Sequence, residues 1–347
     1  MADRKLASVR EIENITPIPD ADRIETAWVG AWPVVVRKGQ FGIGDKAVYF
    51  EVDSVLDVTM KPFAFLADDE RGIKTFKMME DDGITVTEHT GYRLRTAKLR
   101  KQLSQGLLLS LDECGVPSDT PTGTDLTDAL GIVEYNPWHD DRSVRVGPFP
   151  QKYCVRSGAI RVQNLTAEWP ALQGYTWYAT EKIDGYATVL FMDEDGNVRV
   201  ATHNQEIRFD EDNEIVIAAK KQGLLDVLHP CLAVEAEMAG PKIAKNPLEL
   251  PEGRLFVYSV WDHCRPLPRS QWHETLGENS VPVLDLALPS NPEGCVAQAD
   301  GLHSTVCPKR LAEGIVWHTV DASQPDCLDM RENFKAINNT YLLRRHE

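Results

Sequence analysis

The chain has 347 residues, of which 42% are hydrophobic and 26% are charged. This length allows two domains with separate cores, and the composition is that of an ordinary soluble protein. The net charge of −16 argues against a protein that coats nucleic acid regardless of sequence, because such binding needs many cationic contacts. A local basic track on an acidic body remains compatible with this charge.

Targeting and redox signals are also informative. No apolar run approaches membrane-spanning length, and the first five residues lead into no signal-peptide core. The seven cysteines form no C-x-x-C pair, so neither a zinc site nor a disulfide framework is expected. We therefore expect a cytoplasmic protein without a membrane partner. We also expect a monomer, although none of these signals bears on the oligomeric state.

The N-terminal part has the pattern of a small β-barrel. Residues 24–29, 32–36 and 47–53 are strand-like, and a glycine-containing turn at 40–46 precedes the last of them. Short strands at this spacing predict a barrel of the OB type. Residues 61–90 are charged, with a turn signal at 80–83, and are predicted to form an elaborated loop.

A basic segment follows at residues 91–106. Five cations fall within nine positions of an otherwise acidic chain, namely Arg93, Arg95, Lys98, Arg100 and Lys101. If the segment is a strand, Arg93 and Arg95 share a face. The cations either protect a solvated strand edge or form a track that contacts the phosphates of RNA.

A run rich in proline and glycine separates two predicted domains. We expect an OB-fold domain at residues 1–135, a linker at 136–150 and a second domain at 151–347. In the second domain, residues 178–191 are predicted to form an apolar strand interrupted by Lys182, Asp184 and Gly185. Alternation would place Lys182 and Asp184 on one face. An apolar setting lowers the pKa of a lysine and makes it a nucleophile, and Gly185 would let a phosphate or base approach the backbone.

Further elements are predicted beyond this strand. Residues 193–196 form a hairpin turn signal, and the returning strand would bring residues 202–204 level with Gly185 and Tyr186. Residues 212–228 are predicted to be helical, capped by Asp212 or Asn213. Residues 232–240 are predicted to form a strand, whose two glutamates could simply mark an exposed edge.

The string Lys182-Ile183-Asp184-Gly185 resembles the lysine motif of the covalent nucleotidyltransferases, which comprise DNA ligases, RNA ligases and messenger-RNA capping enzymes. Residues 44–53 and 91–106 resemble the N-terminal OB module of one RNA ligase branch. The resemblance implies an α+β protein, with an OB-type β-barrel followed by an antiparallel-sheet nucleotidyltransferase domain with helices packed on it.

The resemblance also implies the roles of individual residues. Lys182 matches the catalytic nucleophile, and Asp184, Glu237 and Glu313 match carboxylates near a divalent metal. The residues matched to nucleotide binding are Glu181, Lys182, Asp184, Gly185, Asn204, Glu237, Tyr258, Glu313 and Lys335.

Four positions stay open at this point. Arg161 either meets the triphosphate or caps a helix, and Tyr258 either covers the nucleobase or is plain core. His203 stands where the motif is usually built around an arginine, which puts a permanent phosphate clamp in doubt. Asn333 stands where the last motif often has the first of two lysines.

The implied reaction is RNA ligation. Lys182 would attack the α-phosphate of ATP and hold AMP, with Mg²⁺ or Mn²⁺ offsetting the acidic neighbours. AMP would pass to a 5′-phosphate end of RNA, in a nicked duplex or an RNA/DNA hybrid among other forms, and a 3′-hydroxyl would displace it. One alternative is a non-catalytic RNA- or nucleotide-binding protein on a decayed ligase scaffold. Another is a DNA ligase or capping type, which the barrel preceding the lysine motif disfavours.

Overall fold

The computed structural model of the protein describes residues 4–79, 85–136, 145–156 and 158–345. The described residues form two compact units, an N-terminal unit up to residue 136 and a C-terminal unit from residue 145 onwards. Among the residues described, no helix has the length and apolar character needed to cross a bilayer. The turn predicted at 80–83 lies outside the described residues.

The N-terminal unit is built from short antiparallel strands. They are β1 (Ala7–Glu11), β2 (Asn14–Pro17), β3 (Ile24–Val29), β4 (Trp32–Arg37), β5 (Lys46–Phe50), β6 (Ser54–Leu56), β7 (Ile73–Met79), β8 (Val86–Arg93), β9 (Ala97–Leu99), β10 (Gln102–Ser104), β11 (Leu107–Ser110) and β12 (Val133–Glu134). Their sheets have the orders β1-β5-β11, β2-β3-β4 and β12-β6-β8-β7, with β9 and β10 paired as a hairpin.

Strand β5 divides the interior of this unit. Successive side chains of a strand point to opposite faces, so Ala47 and Tyr49 enter one apolar core while Val48 and Phe50 enter another. Both faces of the strand are therefore buried, because apolar residues of the N-terminal unit pack on each of them.

The predicted loop at residues 61–90 was wrong. A 3-10 helix at Lys61–Leu66 buries Phe63, whose ring packs edge-on against Phe50 at a centroid distance of 5.2 Å. Strands β7 and β8 then pair as a hairpin across the rest of the segment. The charged residues of this segment hid its strands from the hydrophobic pattern.

The C-terminal unit also consists mainly of strands. They are β13 (Arg145–Pro148), β14 (Ile160–Arg161), β15 (Trp177–Lys182), β16 (Tyr186–Met192), β17 (Val198–Thr202), β18 (Gln205–Ile207), β19 (Leu232–Ala239), β20 (Arg254–Asp262), β21 (Arg265–Pro266), β22 (Val283–Leu284), β23 (Gly314–Thr319) and β24 (Asn333–Ile337). The α-helices are α1 (Trp169–Leu172), α2 (Glu214–Lys221), α3 (Glu274–Glu278), α4 (Pro292–Ala299) and α5 (Asn339–Arg345). Short 3-10 helices occupy Val162–Leu165, Arg269–Gln271 and Asp326–Leu328.

Two sheets organise this unit. The larger has the order β13-β18-β17-β16-β19-β20-β21, and the smaller has the order β14-β24-β23-β15-β22. All neighbours are antiparallel except β14 and β24. The outer face of the larger sheet packs on α2, and that of the smaller sheet packs on α1 and α4. The predicted α+β architecture is confirmed.

Three predicted boundaries in this unit change. The predicted strand 178–191 is two strands in different sheets, because the chain crosses between sheets at Ile183–Gly185. The predicted linker 136–150 contains β13, which pairs with β18. Helix α2 has the predicted Asn213 cap, whose side chain accepts from the Ile215 amide, but it ends at Lys221, well before the predicted end at residue 228.

Candidate active site

A cavity of about 350 Å³ opens in the C-terminal unit, and residues of both sheets line it. The alternation of side chains along the strands explains which residues of the smaller sheet line the cavity. Ala179, Ile315 and Phe334 pack in the outer core, so the residues between them on β15, β23 and β24 turn to the other face. These inner residues are Thr180, Lys182, Val316, His318, Asn333 and Lys335, and all of them line the cavity.

Lys182 forms an ion pair with Glu313. Its Nζ lies 2.7 Å from Oε2 of Glu313, and the two side chains are 22% and 15% exposed. Strand pairing explains the contact, because Lys182 lies opposite Gly314 in the β15–β23 register. Gly314 is required there, since a Cβ atom would collide with the carbonyl oxygen of Ala336 on β24.

The pKa of Lys182 is shifted in the direction opposite to the one expected for a lysine in an apolar setting. Burial alone would lower the pKa of Lys182, but the carboxylates of Glu313, Glu237 and Asp184 outweigh it and raise the pKa above its usual value. Burial and the same crowding of negative charge raise the pKa of Glu237 to about 7, although Lys182 acts in the opposite direction. The site is therefore an excess of carboxylates around one amino group, an arrangement that a cation would relieve.

Asp184 does not share a face with Lys182. It is 6% exposed and accepts a hydrogen bond from the Tyr341 hydroxyl of α5. Gly185 lines the cavity and also has a packing role. A Cβ atom at Gly185 would collide with the carbonyl oxygen of Met238, so the glycine allows the two strands to approach each other.

Tyr258 reaches the cavity through a β-bulge. The register between β19 and β20 shifts between Glu235 and Ala236. As a result, Val257 and Val260, three residues apart, both pack in the outer core, while Tyr258 between them lines the cavity. Bulges often redirect a side chain in this way. The structure thus places Tyr258 at the cavity.

Glu237 and Glu235 lie two residues apart on β19, and both line the cavity. The strand lies between β16 and β20, so the alternative of an exposed edge was wrong. The sequence pattern did not single out Glu235. Its carboxylate binds Nη1 of Arg331 at 2.9 Å, Nη2 of Arg331 at 3.1 Å and Nε1 of Trp261 at 2.7 Å.

Glu181 is held beside the cavity by a neighbouring loop. Its Oε2 accepts from the backbone nitrogen of Thr305 at 2.8 Å and from the Thr305 hydroxyl at 2.6 Å. Its Oε1 is buried with no hydrogen-bond partner among the described residues. Because alternation turns its side chain away from that of Lys182, these bonds order the end of β15.

Basic side chains also line the cavity. Lys335 and His203 are there as predicted, together with Arg156 and Arg331, which the sequence pattern did not indicate. Asn333 also lines the cavity and donates to Oε1 of Glu332 at 3.2 Å. Arg156 gave no signal because it lies outside every recognised motif, and Arg331 contacts Glu235 only in the folded chain.

The residues that line the cavity do not include four of the predicted ones, Asp184, Glu313, Asn204 and Arg161. Asn204 connects β17 to β18, and the β16–β17 ladder ends at the pair Thr188 and Thr202. Arg161 ends β14, where it lies opposite Lys335 in the parallel pair with β24. Asn204 and Arg161 are thus adjacent to elements of the site in the chain or in the sheet.

The described part of the chain contains carboxylates that could bind a metal ion, but they are not gathered into one site. Among the described residues, no group of three or more acidic, histidine or cysteine side chains is gathered closely enough to hold a metal ion. Asp184 bonds to Tyr341 and Glu313 to Lys182, so the three predicted carboxylates do not converge. The residues nonetheless suit a divalent cation, because Glu237 and Glu313 are oxygen donors with excess negative charge.

In the N-terminal unit, the basic segment divides into two parts. Arg93 pairs with Asp53 at 2.7 Å and lies over the Tyr135 ring at 4.0 Å, so it is a structural residue of the barrel. Strand β8 ends at Arg93, and Arg95 therefore does not share a strand face with it.

The β9–β10 hairpin carries three of the cations, whereas Arg95 lies between β8 and this hairpin. Lys98, Arg100 and Lys101 are exposed, and Arg100 and Lys101 form the two-residue turn with φ of 50° and 68°. This left-handed pair matches the turn type that suits a tight hairpin. The turn projects both cations at the tip of the hairpin.

An OB-type unit followed by two mainly antiparallel sheets that hold a lysine among carboxylates defines a covalent nucleotidyltransferase. An OB-fold domain model matches residues 6–111, and an RNA ligase model matches residues 175–337. A search of curated proteins gave no match.

Solved structures of Naegleria gruberi RNA ligase resemble the whole chain. A variant with ATP and Mn is 30% identical, with a TM-score of 0.80, and the match covers 98% of both chains. A variant with AMP and Mn is 30% identical over 98% of both chains, with a TM-score of 0.82. The same ligase with PPi is 29% identical over 98% of both chains, with a TM-score of 0.80. The chain belongs to the RNA ligase family.

Proposed function

We propose that the protein is an ATP-dependent RNA ligase that joins a 3′-hydroxyl end to a 5′-phosphate end in the repair of nicked or broken RNA. The observation that carries this proposal is the position of Lys182, whose amino group lies in the cavity between the sheets beside Glu313. A lysine amine held among carboxylates is suited to form a P–N bond once the carboxylates are neutralised.

The reaction would begin with ATP in the cavity. The amine of Lys182 attacks the α-phosphate, the bond to pyrophosphate breaks, and AMP remains on the lysine. Tyr258 faces this space from β20 and offers an aromatic surface to the nucleobase. Lys335 supplies positive charge as negative charge shifts on the phosphate.

A divalent cation suits the carboxylate excess, and Glu237 and Glu313 are the residues that would hold it. When bound, Mg²⁺ or Mn²⁺ offsets negative charge near the nucleophile. The structures of Naegleria gruberi RNA ligase with ATP and Mn and with AMP and Mn support this cofactor assignment.

The second half of the reaction uses RNA. AMP passes from Lys182 to the 5′-phosphate of one strand, and the 3′-hydroxyl of the other strand displaces AMP as the phosphodiester bond forms. The exposed cations of the β9–β10 hairpin, Lys98, Arg100 and Lys101, are suited to contact the phosphates of the strand that ends in the 3′-hydroxyl.

The direct test is incubation with ATP labelled at the α-phosphate and Mg²⁺, followed by nicked RNA with one labelled 5′-phosphate. A labelled polypeptide and a sealed strand are expected. A chain that binds ATP and RNA but never becomes labelled would instead be the non-catalytic binder on a decayed scaffold, which the asparagine at 333 and the histidine at 203 favour.

A further inference from the structure

The cavity contains two arginines that no sequence motif explains, Arg156 and Arg331. Arg156, His203, Arg331 and Lys335 all line the cavity. Arg331 is 5% exposed, and both of its terminal nitrogens bind the Glu235 carboxylate, at 2.9 and 3.1 Å. A buried carboxylate therefore offsets its charge. Arg156 and Lys335 line the same cavity, and both can carry a permanent positive charge to an anionic ligand.

His203 adds no charge to this group at neutral pH. His203 is an exposed residue. Even so, the surrounding protein and the positive charges of Arg156, Arg331 and Lys335 lower the pKa of His203 to about 4. A neutral imidazole can donate or accept one hydrogen bond, but it cannot act as a permanent counter-charge for a phosphate.

The fold fixes the backbone that carries Arg156. Strand β13 pairs with β18 on the larger sheet, and Phe149 and Cys154 then pack in the core shared with Val189 and Phe191. Nη2 of Arg331 donates to the carbonyl oxygen of Val155. Arg156 therefore follows a buried residue and a bonded carbonyl group, which hold its position at the cavity.

We propose that Arg156 binds a phosphate group in the active site and supplies the permanent charge that His203 lacks. This proposal rests on the proposed function. A guanidinium is suited to the role because its planar fork binds two phosphate oxygens at once. Arg331 acts as a positioning residue, because it ties the Val155 carbonyl to the Glu235 side of the cavity.

The phosphate has two possible sources, which the reaction separates. One is ATP, whose use is measured as the rate of lysyl-AMP formation at subsaturating ATP. The other is the 5′-phosphate end of RNA, whose use is measured as sealing of nicked RNA that already carries the 5′-adenylate. Arg156→Ala in the full chain is expected to slow at least one of these steps at least tenfold, and Arg156→Lys to slow the same step less.

A rescue experiment distinguishes this role from a structural one. His203→Arg places a guanidinium beside the vacated position, so Arg156→Ala/His203→Arg is expected to recover at least fivefold of the lost rate. His203→Arg in the parental chain should give a smaller gain. The matched control is Arg208→Ala, because Arg208 follows β18 and its side chain is 58% exposed. This control should keep the parental rates.

Binding gives a readout that does not need turnover. Titration with ATP and with pyrophosphate should show weaker binding by Arg156→Ala if the group belongs to ATP. This measurement also decides the inference if the parental chain forms no adduct, an outcome that would overturn the proposed function alone. Parental rates in both steps with parental ATP and pyrophosphate affinity in Arg156→Ala would overturn the role of Arg156. A second outcome would also overturn this role. It is a loss of rate in Arg156→Ala that His203→Arg does not rescue, together with a thermal unfolding curve that shows a destabilised fold.

Discussion

Nζ of Lys182 lies 2.7 Å from Oε2 of Glu313, so the nucleophile of the proposed reaction is held as an ammonium ion by a carboxylate. The ion pair positions the amine at the cavity but opposes its reactivity, because Glu313, Glu237 and Asp184 raise the pKa of Lys182 against the effect of burial. A cation that neutralises the carboxylates would remove this opposition.

Lys182 itself is the first residue to test. Lys182→Ala should fold, because one partly exposed side chain at a strand end is truncated, yet it should form no AMP adduct. Lys182→Arg should fail equally, because a guanidinium does not lose its proton at usable pH. Mass spectrometry of the protein after incubation with ATP and Mg²⁺ provides the measurement. An adduct of parental yield in either variant would remove Lys182 from the mechanism.

The raised pKa of Lys182 predicts a pH dependence for adduct formation. The reactive form is the neutral amine, so the rate should rise with pH up to the pKa of Lys182 and then level off. Glu313→Gln removes a negative charge that raises this pKa, so the midpoint of its pH–rate profile should move to lower pH. An unchanged midpoint would show that another group controls the profile.

The carboxylates should also determine the maximal rate. Glu237→Ala and Glu313→Ala are each expected to lower adduct formation at least tenfold at saturating Mg²⁺, which corresponds to about 1.4 kcal/mol or more. Glu249→Gln is a matched control, because Glu249 pairs with Arg310 and its side chain is 48% exposed. Parental rates for both alanine variants across a magnesium titration would assign the two glutamates a structural role.

The hydroxyl of Tyr341 should act through Asp184. Tyr341→Phe removes the donor to a carboxylate that is 6% exposed, and it should slow adduct formation severalfold while costing roughly 1.5–3 kcal/mol of stability at most. If the two residues act as a unit, the rates of Tyr341→Phe, Asp184→Asn and the double variant will not be additive. Additive effects would show that Tyr341 and Asp184 contribute separately.

We expect the cations of the basic segment to have two different functions, RNA binding by those of the hairpin and stabilisation of the fold by Arg93. Neutralising Lys98, Arg100 and Lys101 together should leave thermal stability near the parental value, because all three are exposed. It should weaken RNA binding and flatten its salt dependence by up to about three units of the log–log slope.

Arg93→Ala is the contrasting variant, because it loses the Asp53 ion pair and the Tyr135 contact. It should lower the thermal stability and change the salt slope little. The opposite assignment of the two effects would place the RNA contact at Arg93.

The sequence by itself determined the residue types of the site and their order in the chain. Lys182, Glu237, Tyr258, Glu313 and Lys335 were assigned because the local strings that contain them resemble the motifs of the family. The α+β architecture followed from the same resemblance. These inferences needed only neighbours in the chain.

The tertiary structure decided which side chains of these motifs lie together at the cavity. Alternation failed at Asp184, because the chain leaves one sheet for the other between Lys182 and Tyr186 and the carboxylate turns to Tyr341 of α5. The bulge that directs Tyr258 to the cavity depends on the partner strand β19. Arg93 looked like part of a basic track until its partner Asp53, 40 residues away in the chain, became visible. Arg156 and Arg331 reach the cavity only through pairing and packing with distant segments, and such long-range contacts leave no periodic signal in a sequence.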